Sequence, residues 1–315
     1  MARKTKWIDA SEPDDPVDVV ARRALESRLD AVEHYLALAA DRDHTPEDIH
    51  QLRVSTRRAM AALDIFAALL PPRRARKMNK RLKRIRRAAG DSRDLDVLAA
   101  RLKKNPLADD SGRRAKLQKL IAHLRSAAQP AIEKIHKHLD ERDRFSRRAA
   151  ALVSRVRLRA VDGSAELHTF SAAARQCLQP VIERFFAAAA ADLSQPEALH
   201  ALRISGKQVR YAIEIFAGAF QPEIREEIYP LVEQMQEKLG KVIDHVTAAR
   251  LYGEWLTGVD DAEIAEYLRT LAASEQAAVE LARHDFLTWW TADRAADLQR
   301  RFDEQFASQR YEQSA

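Results

Sequence analysis

The sequence predicts an all-α protein built as two pseudo-symmetric helical bundles from an internal duplication. Three observations predict it. Apolar residues recur with helical rather than alternating periodicity across almost every segment from Pro16 to Gln309, and the breaks are short. The composition agrees: 32% of residues are charged, 6% are aromatic, and Gly occurs only 8 times in 315 residues, which favours helix over sheet. Finally, His50-Gln51-Leu52-Arg53-Val54-Ser55-Thr56-Arg57 recurs, offset by 150 residues, as His200-Ala201-Leu202-Arg203-Ile204-Ser205-Gly206-Lys207. Pro46-Glu47 and Pro196-Glu197, Phe66 and Phe216, Gly90 and Gly240, and Asp94 and Asp244 keep the same offset, a register that one insertion would have destroyed.

In chain order the periodicity predicts helices over 16–41, 46–69, 72–89, 93–104, 111–139, 143–159, 164–191, 196–219, 222–240, 244–257, 260–284 and 286–310. The second has the clearest start, with Thr45 as N-cap, Pro46 at the first helical position and Asp48 as a capping-box acid. The implied organisation is a flexible tail at 1–15, a first bundle at 16–160 and a second at 161–315. Halves of about 150 residues are each large enough to bury a core.

Composition narrows the function. No run approaches 18 apolar residues, so no membrane-spanning helix is expected, and residues 1–15 lack the apolar centre of a secretory signal. A single cysteine, Cys177, allows no internal disulfide and suits a reducing cytoplasm; its apolar helical context marks it as a small core residue rather than a nucleophile. Charge is unevenly placed. Residues 1–150 hold 35 Lys and Arg against 22 Asp and Glu, a net of +13, whereas residues 151–315 hold 18 against 25, a net of −7. A polyanion would be drawn mainly to the first half.

On the repeated helix, Leu52, Ala59, Leu63 and Phe66 cluster on one face and form the core stripe. His50, Arg53 and Arg57 fall within roughly 60° of one another on a different face, as do His200, Arg203 and Lys207, with Arg210 one step further round. Cβ atoms at these spacings lie about 5–6 Å apart, so an opposing anion or acid is needed to relieve the repulsion. A solvated charged face is the plain alternative for either helix alone, but it gives no reason for the pattern to stay basic in an acidic half. The helix from Arg73 to Arg87 is also strongly cationic, with Met78, Leu82, Ile85 and Ala89 toward the core and Lys77, Lys80, Arg84 and Arg87 on the other side. Its counterpart, Glu223 to Leu239, is acidic, so the ligand is expected to be held mostly by the first half.

Other chemistries stay open. Glu47-x-x-His50 and Glu197-x-x-His200 have the i, i+3 spacing of carboxylate-bundle metal ligands, with Asp94 and Asp244 as further donors. Arg53 and Arg57 on the histidine stripe would oppose a dication, and first-turn acids also serve the helix dipole. A sequence pI near 9.4 suits a nucleic-acid backbone, yet the basic segments lack interleaved aromatics, and no helix-turn-helix or zinc signature occurs. Low-specificity nucleic-acid binding at low salt remains the reading closest to the first. An enzyme is not expected: there is no Gly-rich phosphate loop, no carboxylate cluster suited to Mg²⁺ and no Ser/His/Asp grouping. The other eight histidines have no support from the repeat. Phe286 and Trp289-Trp290 are expected to pack the last helix onto the second bundle.

The motifs His50-x-x-Arg53-x-x-x-Arg57-Arg58 and His200-x-x-Arg203-x-x-x-Lys207-x-x-Arg210-Tyr211 resemble the signatures of CHAD domains, the conserved-histidine α-helical domains. Gly90-Asp91-Ser92-Arg93-Asp94-Leu95-Asp96-Val97 resembles the stretch that follows in their first half, and Leu239-Gly240-x-x-x-Asp244 its second-half relative. The match spans roughly residues 16–310. Met60, Ala88-Ala89 and Gln208 depart from the pattern, and the Glu-x-Glu-x-Lys signature of a fused triphosphate-tunnel domain is absent from this sequence. The resemblance implies two related helical bundles and non-catalytic binding of inorganic polyphosphate in a basic groove or channel. It implies no cofactor and a cytoplasmic location, with association with polyphosphate granules. The residues expected to bind are His50, Arg53, Arg57, Arg58, Lys77, Lys80, Arg84, Arg93, His200, Arg203, Lys207, Arg210 and Tyr211.

Overall fold

The computed structural model describes residues 6–8, 12–104, 111–140, 144–157 and 169–312. Its α-helices are α1 Val17–Ala40, α2 Pro46–Ile65, α3 Pro72–Lys104, α4 Ser111–Asp140, α5 Arg144–Val153, α6 Phe170–Ala189, α7 Pro196–Phe216, α8 Tyr229–Leu256, α9 Ala262–Trp289 and α10 Ala292–Glu312. A π-helical turn, Ile224–Ile228, leads into α8. Among the described residues there is no strand, only one isolated bridge between Pro16 and Thr169, and no helix is long and apolar enough to cross a membrane.

The capping box of α2 forms as its residues require. Asp48 N–H donates to Thr45 Oγ1 at 3.3 Å, and Thr45 N–H donates to Asp48 Oδ2 at 2.7 Å. Elsewhere the expected boundaries change. The break at Gly90 is not there, because α3 runs unbroken through it, and α8 likewise runs through Gly240. A glycine inside a helix costs up to about 1 kcal/mol relative to alanine. The buried side chains on either side, Ala89 and Leu95 in α3 and Leu239 and Val242 in α8, offset a cost of that size. The ends of the helices expected over 143–159 and 164–191 lie partly outside the described residues, as does the boundary at 160/161.

Three buried clusters organise the molecule. The first joins α1, α2, the first half of α3, the end of α4, and α5, around Leu25, Leu52, Leu63 and Leu82. The second joins α6, α7, the start of α8, the end of α9, and α10, around Phe185, Leu202, Phe286 and Phe302. Phe170, Ala173, Ala174, Ile215, Phe216 and Ala219, all placed by the sequence in the second bundle, sit in the first cluster. Phe66 and Phe216 meet edge to face with centroids 5.9 Å apart, so the phenylalanines that end the two motif helices pack on each other. The third cluster was not expected. The far ends of α3 and α4 (Leu98, Leu102, Leu117, Ile121) pack against the far ends of α8 and α9 (Tyr252, Tyr267, Leu268, Leu271). At about 1.5 Å per residue, α3 is roughly 50 Å long and reaches from the first cluster to the third.

The phenylalanine and tryptophans near the end of α9 pack as expected: Phe286 and Trp290 are buried in the second cluster. Trp289 packs beneath the Lys238 and Arg294 cations. Cys177 lies beside the first cluster, and burial pushes its thiol up to about 11. Within the expected flexible tail, Lys6–Ile8 is docked instead. Ile8 is buried and its N–H donates to the Glu214 carbonyl at 3.1 Å, while Trp7 packs edge to face on Tyr229.

That docking surrounds a buried carboxylate. Glu214, in α7, is 1% exposed. Arg58 of α2 donates to both of its oxygens, from Nε at 2.6 Å and Nη2 at 2.8 Å, and the Tyr229 hydroxyl donates at 2.8 Å. Arg28 of α1 adds a longer ion pair at 3.8 Å. The two arginines respond differently. Burial lowers Arg28 to about 10 despite Glu214, whereas the same penalty on Arg58 is outweighed by its hydrogen bonds to the carboxylate, and Arg58 is raised. Replacing Glu214 with Ala strands these cations in the interior, and the expected loss is about 3–5 kcal/mol. Urea unfolding of Glu214→Ala checks this; a loss under about 1 kcal/mol would show that the cluster is not a structural anchor.

Candidate functional site

The motif helices α2 and α7 pack directly against each other. Their core faces are filled by Ile49, Leu52, Ala59 and Leu63 on one side and Leu199, Leu202, Val209 and Ile213 on the other. Ser55 and Ser205 are buried and turn their hydroxyls back to the Leu52 and Leu202 carbonyls, both at 3.0 Å, so neither competes for a ligand. Burying those faces turns the two basic stripes toward one another.

The electrostatics show how closely they meet. Lys207 is half-buried, and its amine is lowered to about 6 by that burial and then by Arg57, Arg203, Arg53 and Arg210. Arg53 is lowered to about 10 by burial and then by Arg57, with Asp94 pulling the other way before Arg93 and Arg86 add to the repulsion. Arg203 is lowered by burial and by Arg57, with Asp244 and Tyr211 opposing. Burial and Arg57 lower Arg86 also. Arg57 is therefore common to both stripes. Among the described residues it makes no hydrogen bond or ion pair. His50 is half-buried and lowered, first by burial, then by Arg93, with Glu47 opposing Arg57 and Arg53.

The structure sorts the expected residues into three groups and leaves His200 apart. His50, Arg53, Arg57, Arg93, Arg203, Lys207 and Tyr211 come together in this central cluster. Arg58 and Arg210 turn toward the buried anchor. Arg58 is committed to Glu214, which corrects its assignment to the ligand, and Arg210 lies 3.7 Å from Glu233 and 3.9 Å from Glu214, over the Tyr229 ring. Lys77, Lys80 and Arg84 face away from the centre and line a separate pocket with α4 and α5. Their position roughly 120–180° around α3 from Arg86 is the reason. His200 is exposed at the start of α7.

Two kinds of residue escaped sequence reasoning. Arg86 belongs to the centre, and only the seven-residue spacing to Arg93, which puts both on one face of α3, could have singled it out. Asp94 and Asp244, read as metal donors, are instead the acids set among the arginines. Asp244 is raised by desolvation even though Arg203, Arg101 and Arg93 surround it. Glu47 accepts from Gln51 Nε2 at 2.5 Å, and among the described residues no three metal-capable side chains assemble, so the metal reading lacks its ligand set.

One glycine serves this site. A Cβ at Gly90 would stand 3.1 Å from Arg53 Nη1, whereas at Gly240 it would meet nothing within 4 Å. Arg53 thus lies across the bare backbone of α3, where its Nη1 donates to the Ala89 carbonyl at 3.5 Å.

A model of the CHAD domain matches residues 23–253. No curated protein matches the chain. Among solved structures, the CHAD domain from the plant Ricinus communis is similar at 24% identity with a TM-score of 0.68, covering 89% of this chain and 96% of that one. PptA from Streptomyces chartreusis is similar at 20% identity with a TM-score of 0.63, covering 88% and 99%.

Lys207 gives the direct test of the cluster in the free protein. Its amine should titrate near 6 by lysine-selective NMR, and Arg57→Gln, removing the largest neighbouring charge, should move it upward toward 10.5. An unchanged titration in Arg57→Gln would mean that the two stripes do not face each other.

Proposed function

We propose that this chain, which belongs to the CHAD domain family, binds inorganic polyphosphate along a basic groove between α2, α7 and α3, without catalysis. The observation that carries the reading is the meeting of two motif stripes at Arg57, where burial first, and then Arg57, Arg203, Arg53 and Arg210, lower the Lys207 amine to about 6. Such an arrangement is strained without an anion and relieved by one. Arg53, Arg57, Arg86, Arg93 and Arg203 offer forked donors suited to phosphoryl oxygens, and a chain of phosphates can satisfy several of them at once. Asp94 and Asp244 offset part of the repulsion on Arg53 and Arg203. A cytoplasmic protein, able to associate with polyphosphate granules, fits the single half-buried thiol.

Charge alone should not reproduce this binding. With Arg53, Arg57, Arg203 and Lys207 all replaced by Gln, affinity for size-defined long-chain polyphosphate should fall more than about 100-fold, near 3 kcal/mol. Replacing the exposed Arg73, Arg76, Lys134 and Lys137 removes the same charge away from the cluster and should cost far less, because exposed cations act through a screened field. Calorimetric titration checks both, with duplex DNA as competitor. Equal losses in the two variants, or DNA binding as tight as polyphosphate, would favour general polyanion binding instead.

Proton uptake should accompany binding. A bound polyanion raises the Lys207 pKa above its free value of about 6, so the complex holds a proton that the free protein lacks. Affinity is then greatest below pH 6 and falls as pH rises through the window between the free and bound values; His50, also lowered in the free protein, acts in the same direction. Binding enthalpies measured in two buffers of different ionisation heat should diverge at pH 7.5, and the divergence should shrink in Lys207→Arg.

A further inference from the structure

The outer face of α3 carries a second concentration of positive charge. Lys77, Lys80, Arg81 and Arg84 follow i, i+3, i+4, i+7 spacing and form one stripe, turned away from Arg86 and Arg93. α5 brings Arg148 to the same place, and Ile135 and Leu139 of α4 floor it, enclosing a pocket of about 310 Å³. His138 completes the rim.

Several cations elsewhere on the surface sit beside carboxylates: Arg113 by Glu263, Lys116 by Asp261, Arg250 by Glu254 and Arg269 by Glu266. Among the described residues no acid lines this pocket, and Lys77, Lys80, Arg84 and Arg148 have no carboxylate partner. Arg81 is fixed in place by donating from Nη1 to the Lys77 carbonyl at 3.1 Å. Arg148 stands close enough that, after burial, it further lowers Arg81. Cations from two helices therefore converge on a concave space where no acid among the described residues neutralises them, and fixed guanidinium and ammonium donors suit clustered phosphoryl oxygens.

The floor and the size narrow the ligand. A bare inorganic anion gains nothing from Ile135 and Leu139, whereas a ligand with a non-polar part does. A volume near 310 Å³ stands at the lower end for small-molecule sites. We infer that this pocket is a second anion site, separate from the central cluster, that takes a small di- or triphosphate carried on a non-polar body. A nucleoside triphosphate and a short isoprenyl diphosphate share that chemistry. The inference does not rest on the polyphosphate reading, since no residue is common to the two sites.

The experiment uses the full chain carrying Arg53→Gln, Arg57→Gln, Arg203→Gln and Lys207→Gln, which weakens the centre, with and without Lys80→Gln and Arg84→Gln. ATP, geranyl diphosphate and inorganic tripolyphosphate are titrated into each by calorimetry. One of the two organic phosphates is expected to bind with 1:1 stoichiometry, at least tenfold more tightly than tripolyphosphate, and to lose at least tenfold on adding the α3 substitutions. Which of them binds identifies the source. Failure of both to bind, binding of tripolyphosphate as tight as theirs, or affinity indifferent to Lys80→Gln and Arg84→Gln each overturns the proposal. Long-chain polyphosphate titrated into Lys80→Gln/Arg84→Gln alone, with the centre intact, reports separately on the groove.

Discussion

Half-buried cations such as Arg53, Arg203 and Lys207 repel one another, and nothing in their own chemistry brings α2 and α7 together. The opposing force lies one turn deeper. Glu214 is sealed from water and held by Arg58, Tyr229 and Arg28, so a single carboxylate ties α7 to α2, α8 and α1. Arg57 and Arg58 are neighbours on α2, about 100° apart. One is spent on the anchor, which leaves the next free to face the second stripe. The edge-to-face contact of Phe66 with Phe216 closes the same crossing from its apolar side. The basic centre is in this sense a strained arrangement supported from below by a buried ion cluster and aromatic packing.

Much of this was legible in the residues. Thr45, Pro46 and Asp48 determine where α2 begins, and the 3.6-residue stripe determines which of its faces is buried, so the inward placement of Arg53, Arg57, Arg203 and Lys207 followed from local rules. What escaped depends on partners distant in the chain. Arg57 and Arg58 are the same residue type in consecutive positions, and only the location of Glu214, 156 residues away from Arg58, distinguishes ligand-facing from structural. Lys77, Lys80 and Arg84 belong to a run of cations around nearly the whole of α3, and charge without a neighbouring helix has no direction. Gly90 looked like a helix end because propensity is local; the packing that carries α3 through it is not. The third cluster had no signal, since its helices read as ordinary amphipathic segments whichever partner they bury against.

The two halves contribute unequally to the centre. The first supplies Arg53, Arg57, Arg86 and Arg93 with His50, while the second supplies Arg203 and Lys207, whose amine, like the His50 imidazole, is lowered by its surroundings. Arginine stays charged under any such crowding and lysine does not. A lysine at this position lets the site shed part of its own repulsion, and under the proposed function a bound polyanion would restore that charge. Asp94 and Asp244 act alongside it as internal counter-ions.

The third cluster bears on how the chain reaches this state. Leu98, Leu102, Leu117 and Ile121 are covered by Tyr252, Tyr267, Leu268 and Leu271, and Arg101 is paired with Glu275, 174 residues later. At ribosomal speeds of roughly 5–20 residues per second, the far end of α3 and α4 waits on the order of ten seconds for its cover to be synthesised. During that interval an apolar hairpin tip stays exposed at the end of a half that carries a net charge of +13. The mutual repulsion of such nascent halves opposes contact between those tips, so the same net charge acts on the unfinished chain as well as on the finished one.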